Sequence, residues 1–122
     1  MKILIVDDQP IAQEVIQKLA EKFAFLEIVG TCDDAFSALE MINSLQPDLI
    51  FLDIQMPSMT GVEMLRVVQR NSTQVIFTTA YDNFALQAFK VNSIDYLMKP
   101  IELQELKNAL NKYEQLKPAQ HN

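Results

Sequence analysis

Cysteine, histidine and glycine are scarce in this chain of 122 residues. The single cysteine, Cys32, and the single histidine, His121, cannot form a disulfide framework, a zinc site or a Cys/His catalytic pair within the fold. The two glycines, Gly30 and Gly61, are too few for a dinucleotide-binding fingerprint or a glycine-rich phosphate loop. Any phosphate chemistry must therefore depend on side chains.

Basic residues and long apolar runs are also in short supply. The chain has 10 Lys+Arg against 16 Asp+Glu and a pI near 4.6, whereas nucleic-acid surfaces need clustered lysine and arginine. The apolar run at residues 3–6 stops at two carboxylates, so it is neither a signal peptide nor a membrane span. We predict a cytoplasmic protein that binds neither membrane nor, through this chain, nucleic acid.

Five short runs rich in β-branched and aromatic residues start 19 to 26 residues apart. This spacing is too long for hairpins and leaves room for a helix after each run. The runs cover residues 3–6, 27–31, 49–52, 75–78 and 94–97. The first, third and fourth are almost continuously apolar, which is typical of parallel strands covered on both faces.

The segments after these runs carry apolar residues at helical spacing. Pro10 suits the first turn of the first helix, Asp33 or Asp34 suits the N-cap of the second, and Pro47 lies beyond its end. Strict alternation of strand and helix predicts an α/β fold, a doubly wound five-stranded parallel sheet. The apolar stripes comprise Ile11, Val15, Ile16, Leu19 and Phe23; Ala35, Ala38, Leu39, Ile42 and Leu45; Val62, Leu65 and Val68; Phe84, Ala85, Ala88 and Phe89; and Leu103, Leu106, Leu110 and Tyr113.

Carboxylates follow two of the predicted strands, Asp7 and Asp8 after the first and Asp53 after the third. In a flavodoxin-like sheet of order 2-1-3-4-5 these strands flank the switch point, where ligands bind beyond the carboxyl ends. Three carboxylates in one crevice repel each other unless a cation neutralises them, and Mg²⁺ suits oxygen ligands. The sequence therefore predicts a magnesium site at this edge.

Thr79 follows the fourth predicted strand and Lys99 follows the fifth. Alone, such residues are common as a backbone-bonded hydroxyl and a solvated charge, just as the aspartates alone could end a strand or cap a helix. Together at one sheet edge, carboxylates, metal, hydroxyl and ammonium can bind a phosphoryl group, toward which aspartate is an established nucleophile. This joint placement favours phosphoryl chemistry.

Four motifs resemble those of response-regulator receiver domains. They are VDDQP at 6–10, DLIFLDIQMP at 48–57, TA at 79–80 and DYLMKP at 95–100. Each motif alone is weak, but their order at the ends of four strands is specific, and the resemblance covers residues 1–115. The stretch FTTAYD at 77–82, with AF at 88–89, further resembles receivers that precede a LytTR-type DNA-binding domain.

The resemblance implies that Asp53 accepts a phosphoryl group from a partner sensor histidine kinase. It implies that Asp8, Asp53 and the main-chain oxygen of Gln55 bind Mg²⁺, with Asp7 supporting the metal site. The chain would then catalyse only its own phosphorylation and dephosphorylation, and would control transcription through a DNA-binding domain outside this chain.

The resemblance also assigns roles at the ends of the fourth and fifth strands. Thr79 would donate to a phosphoryl oxygen, and Lys99 would pair with the phosphoryl group or, before transfer, with Asp53. The Lys99–Pro100 peptide would be cis, and Tyr96 would turn inward when Thr79 engages the phosphate. We expect a receiver domain over residues 1–116 and a linker or tail over 117–122.

Two other functions stay open at this stage. A magnesium phosphohydrolase of the haloacid-dehalogenase type also uses an aspartate nucleophile, but it expects a general-acid aspartate where this chain has Gln55. A non-phosphorylated interaction module with an unused acidic pocket would show no magnesium dependence.

The fourth predicted helix, residues 84–91, is apolar over a wider arc than a core-facing helix needs. Either the helix is deeply buried, or some of this surface meets a partner. We predict a homodimer through the face formed by the fourth predicted helix, the fifth strand and the fifth predicted helix, with Leu86 in its apolar surface.

Overall fold

The computed structural model describes residues 1–53, 73–80 and 95–116. These residues contain five strands and three helices, numbered here in chain order. The bounds are β1 Lys2–Val6, α1 Pro10–Ala20, β2 Glu27–Cys32, α2 Ala35–Leu45, β3 Leu49–Asp53, β4 Gln74–Thr79, β5 Asp95–Met98 and α3 Leu103–Leu116.

All five strands form one parallel sheet in the order β2-β1-β3-β4-β5, which confirms the predicted fold class. The three interior strands β1, β3 and β4 are the ones with nearly continuous apolar sequences, because both of their faces are buried. From β1 the chain adds β2 on one side, and it then adds β3, β4 and β5 on the other. This switch in the order of strands occurs between β1 and β3, so the carboxyl ends of these two strands flank the predicted crevice.

Helices cover both faces of the sheet and enclose two apolar cores. Helix α2 packs on one face, which includes Leu4, and helices α1 and α3 pack on the other, which includes Ile5 and Phe51. Successive side chains along a strand point to opposite faces. By this alternation Asp7 continues the face of Ile5, and Asp53 continues the face of Phe51. Both carboxylates therefore belong to the face covered by α1 and α3.

Helix α2 has defined signals at both ends. The N-cap is Asp34, whose Oδ1 accepts a hydrogen bond from the Ser37 backbone N–H at 2.8 Å. At the other end, Gln46 adopts the left-handed region with φ 50° and donates its backbone N–H to the Ile42 carbonyl. Pro47 follows this turn, as the sequence predicts.

Helix α1 begins with Pro10 in its first turn but ends at Ala20, so its predicted apolar stripe extends too far. Phe23 lies in the following turn, where its backbone N–H donates to the Ala20 carbonyl at 3.0 Å. Its ring still packs against the α1/α3 core and meets Phe25 edge-on. Apolar spacing cannot distinguish a residue within a helix from one that packs on the same core just after it.

The predicted third and fourth helices, the predicted tail at 117–122, Gln55 and Leu86 lie outside the described residues. Helix α3 is the fifth predicted helix, and it buries Leu106, Leu110 and Tyr113 while Leu103 is exposed. None of the helices in the described ranges combines the length and apolar character needed to span a bilayer.

Candidate phosphoacceptor site

Three aspartates meet where β1 and β3 end. One carboxylate oxygen from each of Asp7, Asp8 and Asp53 lies within 4.8 Å of the others. Asp7 is fully buried and Asp53 is 3% exposed, whereas Asp8 faces solvent. The convergence predicted from the strand ends is therefore present in the structure.

Lys99 brings a positive charge to this acidic cluster. Its Nζ lies 2.9 Å from Asp7 Oδ2 and 3.4 Å from Asp53 Oδ2, and its side chain is only 14% exposed. The Lys99 backbone N–H donates to the Thr79 carbonyl at 2.7 Å, and the Lys99–Pro100 peptide is cis, as the resemblance implies. The segment after β5 is thus bonded to the end of β4, and this attachment places the ammonium beside the carboxylates.

Main-chain contacts hold Asp7 in position. Its backbone N–H donates to the Cys32 carbonyl at 3.0 Å, and its Oδ1 accepts from the Gln9 backbone N–H at 2.9 Å. Gln13 Nε2 donates to the carbonyls of Asp7 at 2.6 Å and Cys32 at 3.2 Å. Asp7 is therefore fixed by both β2 and the first turns of α1.

The cluster fits a hard divalent cation. Its ligand atoms are all carboxylate oxygens, which is the ligand type that Mg²⁺ prefers. The buried Asp7 Oδ2 is at ion-pair distance from Lys99 but accepts no well-directed hydrogen bond from the described residues, so it retains acceptor capacity. Both observations agree with the predicted magnesium site.

The structure describes some of the other predicted site residues, but not all of them. Thr79 is the buried last residue of β4, one position beyond Thr78, the residue that pairs with Asp53 across the sheet. Tyr96 pairs through its backbone with Phe77, and the orientation of its side chain lies outside the description. Gln55 is in the undescribed segment 54–72, so its main-chain oxygen stays a predicted ligand.

Sequence reasoning missed Gln9 and Gln13, which both contact the site. Gln9 is the N-cap of α1, and its side chain makes no capping hydrogen bond; instead its Oε1 lies 3.3 Å from Lys99 Nζ. N-caps favour Ser, Thr, Asp and Asn. A glutamine at this position, directly before Pro10, is the only sequence signal that could have indicated another use for the side chain.

An apolar groove of about 620 Å³ lies beside Lys99. Pro10, Ile11 and Val15 of α1 line one part of it, and Pro100 and Ile101 line another. Ile11 belongs to the predicted apolar stripe of α1, yet it is 76% exposed. The stripe predicts which residues share a helix face, but it does not show which of them are buried.

Cys32 ends β2 as a buried member of the core on the α2 face. Desolvation, followed by the negative charges of Asp34 and Asp33, raises the pKa of its thiol to about 12. The thiol is therefore neutral at physiological pH, and Cys32 serves as a small hydrophobe in this core.

Comparison with protein families gives a match over residues 3–111 to the response regulator receiver domain. The chain belongs to the response-regulator receiver family. It is 40% identical over 116 residues to the transcriptional regulatory protein BtsR of Salmonella typhimurium, covering 94% of this chain and 48% of that protein. It is 37% identical over 122 residues to the sensory transduction protein LytT of Bacillus cereus, covering 98% and 50% respectively.

These relatives confirm the resemblance of this receiver domain to those of LytTR-type regulators. The chain spans about half the length of the curated relatives it matches.

Solved structures of receiver domains have the same fold as this chain. The response regulatory domain of mrkE from Klebsiella pneumoniae has a TM-score of 0.79 at 33% identity, covering 92% of this chain and 93% of that one. The REC domain of AraT from Geobacillus stearothermophilus has a TM-score of 0.82 at 30% identity, covering 98% and 97%.

Proposed function

We propose that this receiver domain accepts a phosphoryl group on Asp53 from a sensor histidine kinase and changes its surface in response. The observation that carries the proposal is the buried Asp53 carboxylate, which lies within 4.8 Å of two further carboxylates and 3.4 Å from the Lys99 ammonium. Two-component signalling pairs a receiver with such a kinase, and family membership supports this partner.

The chemistry assigns one role to each side chain. A carboxylate oxygen of Asp53 forms the new P–O bond while the P–N bond to the kinase histidine breaks, and the bonding pair returns to the histidine. Lys99 Nζ is close enough to Asp53 to neutralise charge on the transferred group. Thr79, at the adjacent strand end, donates its hydroxyl to a phosphoryl oxygen. Tyr96 then turns inward and transmits the change.

We assign Mg²⁺ to Asp8, Asp53 and the Gln55 main-chain oxygen, with Asp7 as supporting carboxylate. When bound, the ion offsets the charge of the acidic cluster and of the phosphoryl oxygens. Asp7 contributes through its position, which its bonds to Cys32, Gln9 and Gln13 determine.

The output is transcription. BtsR is a transcriptional regulatory protein, and this chain corresponds to about half of it, so we propose a DNA-binding region beyond the residues matched here. This function implies a cytoplasmic location. The homodimer surface stays a prediction from the sequence, because the fourth predicted helix lies outside the described residues.

Replacement of Asp53 by Asn tests the proposal. The amide keeps the shape of the side chain but lacks the nucleophilic oxygen charge, so we expect loss of the phosphoryl adduct after treatment with acetyl phosphate and Mg²⁺. Intact-mass spectrometry measures the adduct. Asp33→Asn is the matched control, since Asp33 is exposed at the end of β2 and is absent from the acidic cluster.

A full adduct on the Asp53→Asn protein would disprove the acceptor assignment. An unmodified wild-type protein, together with no effect of Mg²⁺, would instead favour a non-phosphorylated interaction module.

A further inference from the structure

The Gln9 side chain has a contact that neither helix capping nor the proposed phosphoryl transfer explains. Gln9 Oε1 lies 3.3 Å from Lys99 Nζ, although the two residues are 90 positions apart in the chain. At the same time the Gln9 backbone N–H donates to Asp7 Oδ1 at 2.9 Å. Gln9 therefore contacts both members of the Asp7–Lys99 ion pair.

The ammonium has three N–H donors, and three described acceptor oxygens surround it. The Asp7 contact is an ion pair at 2.9 Å, whereas the hydrogen bonds from Lys99 Nζ to Asp53 and Gln9 are 3.4 Å and 3.3 Å long. Lys99 thus pairs most closely with Asp7, and its bond to Gln9 is longer than its optimum.

The Lys99 ammonium stands beside two of the carboxylates assigned to the magnesium site. With Mg²⁺ among the carboxylates, Lys99 is repelled by a like charge, and its ion pairs with Asp7 and Asp53 weaken. The amide oxygen of Gln9 is neutral, lies outside the acidic cluster, and has little attraction for Mg²⁺ compared with the carboxylates. Of the three described acceptors around Lys99, the Gln9 amide oxygen is therefore the one that Mg²⁺ does not occupy.

We propose that Gln9 is a positioning residue, which keeps the Lys99 ammonium beside Asp53 when a divalent cation takes the carboxylates. The Gln9–Lys99 bond shortens as the Asp7–Lys99 pair opens, so the loss of one contact is partly compensated by the other. The inference rests on the proposed function, because it requires the metal site.

Calorimetric titration of the metal-free protein with MgCl₂ tests the inference through a double-mutant cycle. Lys99→Met removes the competing charge, so we expect Mg²⁺ to bind about tenfold more tightly. Gln9→Met removes the acceptor oxygen but leaves the helix cap unchanged, since the Gln9 side chain makes no capping bond. We expect it to weaken Mg²⁺ binding about threefold to fivefold when Lys99 is present.

The deciding comparison uses the double variant. With Lys99 already replaced, Gln9→Met should change the Mg²⁺ dissociation constant by less than about twofold, since no ammonium is left to hold. Gln104→Met is the matched control, because Gln104 is an exposed glutamine of α3 that bonds to Asn108 and takes no part in the described contacts of the site. Thermal midpoints without Mg²⁺ show whether each variant is folded.

Equal effects of Gln9→Met with and without Lys99 would overturn the inference and leave the proposed function standing. So would unchanged Mg²⁺ affinity in Lys99→Met. Absence of Mg²⁺ binding by the wild-type protein would overturn both.

Discussion

One carboxylate determines where α2 begins. Asp34 Oδ1 accepts the Ser37 backbone N–H at 2.8 Å, and Asp34 Oδ2 accepts the Ser37 hydroxyl at 2.9 Å. The backbone bond from Ser37, and then its hydroxyl bond, hold the pKa of Asp34 below its usual value. Both bonds favour the ionised carboxylate, so the cap depends on pH.

Replacement of Asp34 by Ala should lower the thermal midpoint at pH 7 by about 2–6 °C, because the N-terminal N–H groups of α2 lose their acceptor. The contribution of an acid with a lowered pKa is present above its unfolded pKa and is lost as pH falls through the folded one. The difference between wild type and Asp34→Ala should therefore shrink as the pH falls below about 4. Thermal melts across pH 3–7 measure it.

Asp34→Asn is the control for that series. It keeps an acceptor oxygen at the cap but cannot ionise, so its midpoint difference from Asp34→Ala should change little with pH. A constant difference between wild type and Asp34→Ala down to pH 3 would contradict the assignment.

At the scale of an element, β2 approaches α2 closely at Gly30. The register between β1 and β2 shifts after the pair Ile3–Ile28, so that Leu4 lies opposite Gly30. A Cβ at Gly30 would stand 2.6 Å from Met41 Cε and 3.3 Å from Leu4 Cδ1. The absence of a side chain thus allows β2 to lie against α2.

Gly30→Val should destabilise the fold by about 1–3 kcal/mol, because the added methyl groups overpack this contact. Gly30→Ala should cost less, since the closest atom is the flexible end of Met41. Urea denaturation measures both free energies of unfolding. Equal stability of Gly30→Val and wild type would show that β2 and α2 separate readily here.

At the scale of the whole molecule, the acidic cluster couples metal binding to folding. Asp7 and Asp53 are distant in sequence, and their carboxylates meet only when β1 and β3 pair. A ligand that binds the folded state alone stabilises it, by about 2.7 kcal/mol at a concentration 100 times its dissociation constant.

Mg²⁺ should accordingly raise the thermal midpoint by several degrees relative to protein in EDTA. Asp8→Ala should reduce this response, because it removes the solvent-facing carboxylate of the cluster. Asp33→Ala, at an exposed position outside the cluster, should leave it intact. Differential scanning calorimetry with and without MgCl₂ measures these midpoints. Identical wild-type curves under the two conditions would contradict the metal site.

Much of this molecule could be predicted from the sequence because the governing signals are local. Continuous apolar runs identify buried strands, and the spacing between runs requires crossover helices. The strand order confirms both inferences. Since parallel strands align their carboxyl ends, the residues that follow them had to share one edge, and Asp7, Asp53 and Lys99 do so.

The contacts within that edge were decided only by the tertiary structure. Nothing local indicates that Lys99 approaches Asp7 more closely than Asp53, or that Gln9 contacts a lysine 90 residues away. Such contacts depend on differences of half an ångström between side chains on separate elements, and those differences follow from how α1 and the end of β5 pack on the sheet. Periodicity determines which face a residue occupies, whereas packing determines which neighbour it meets.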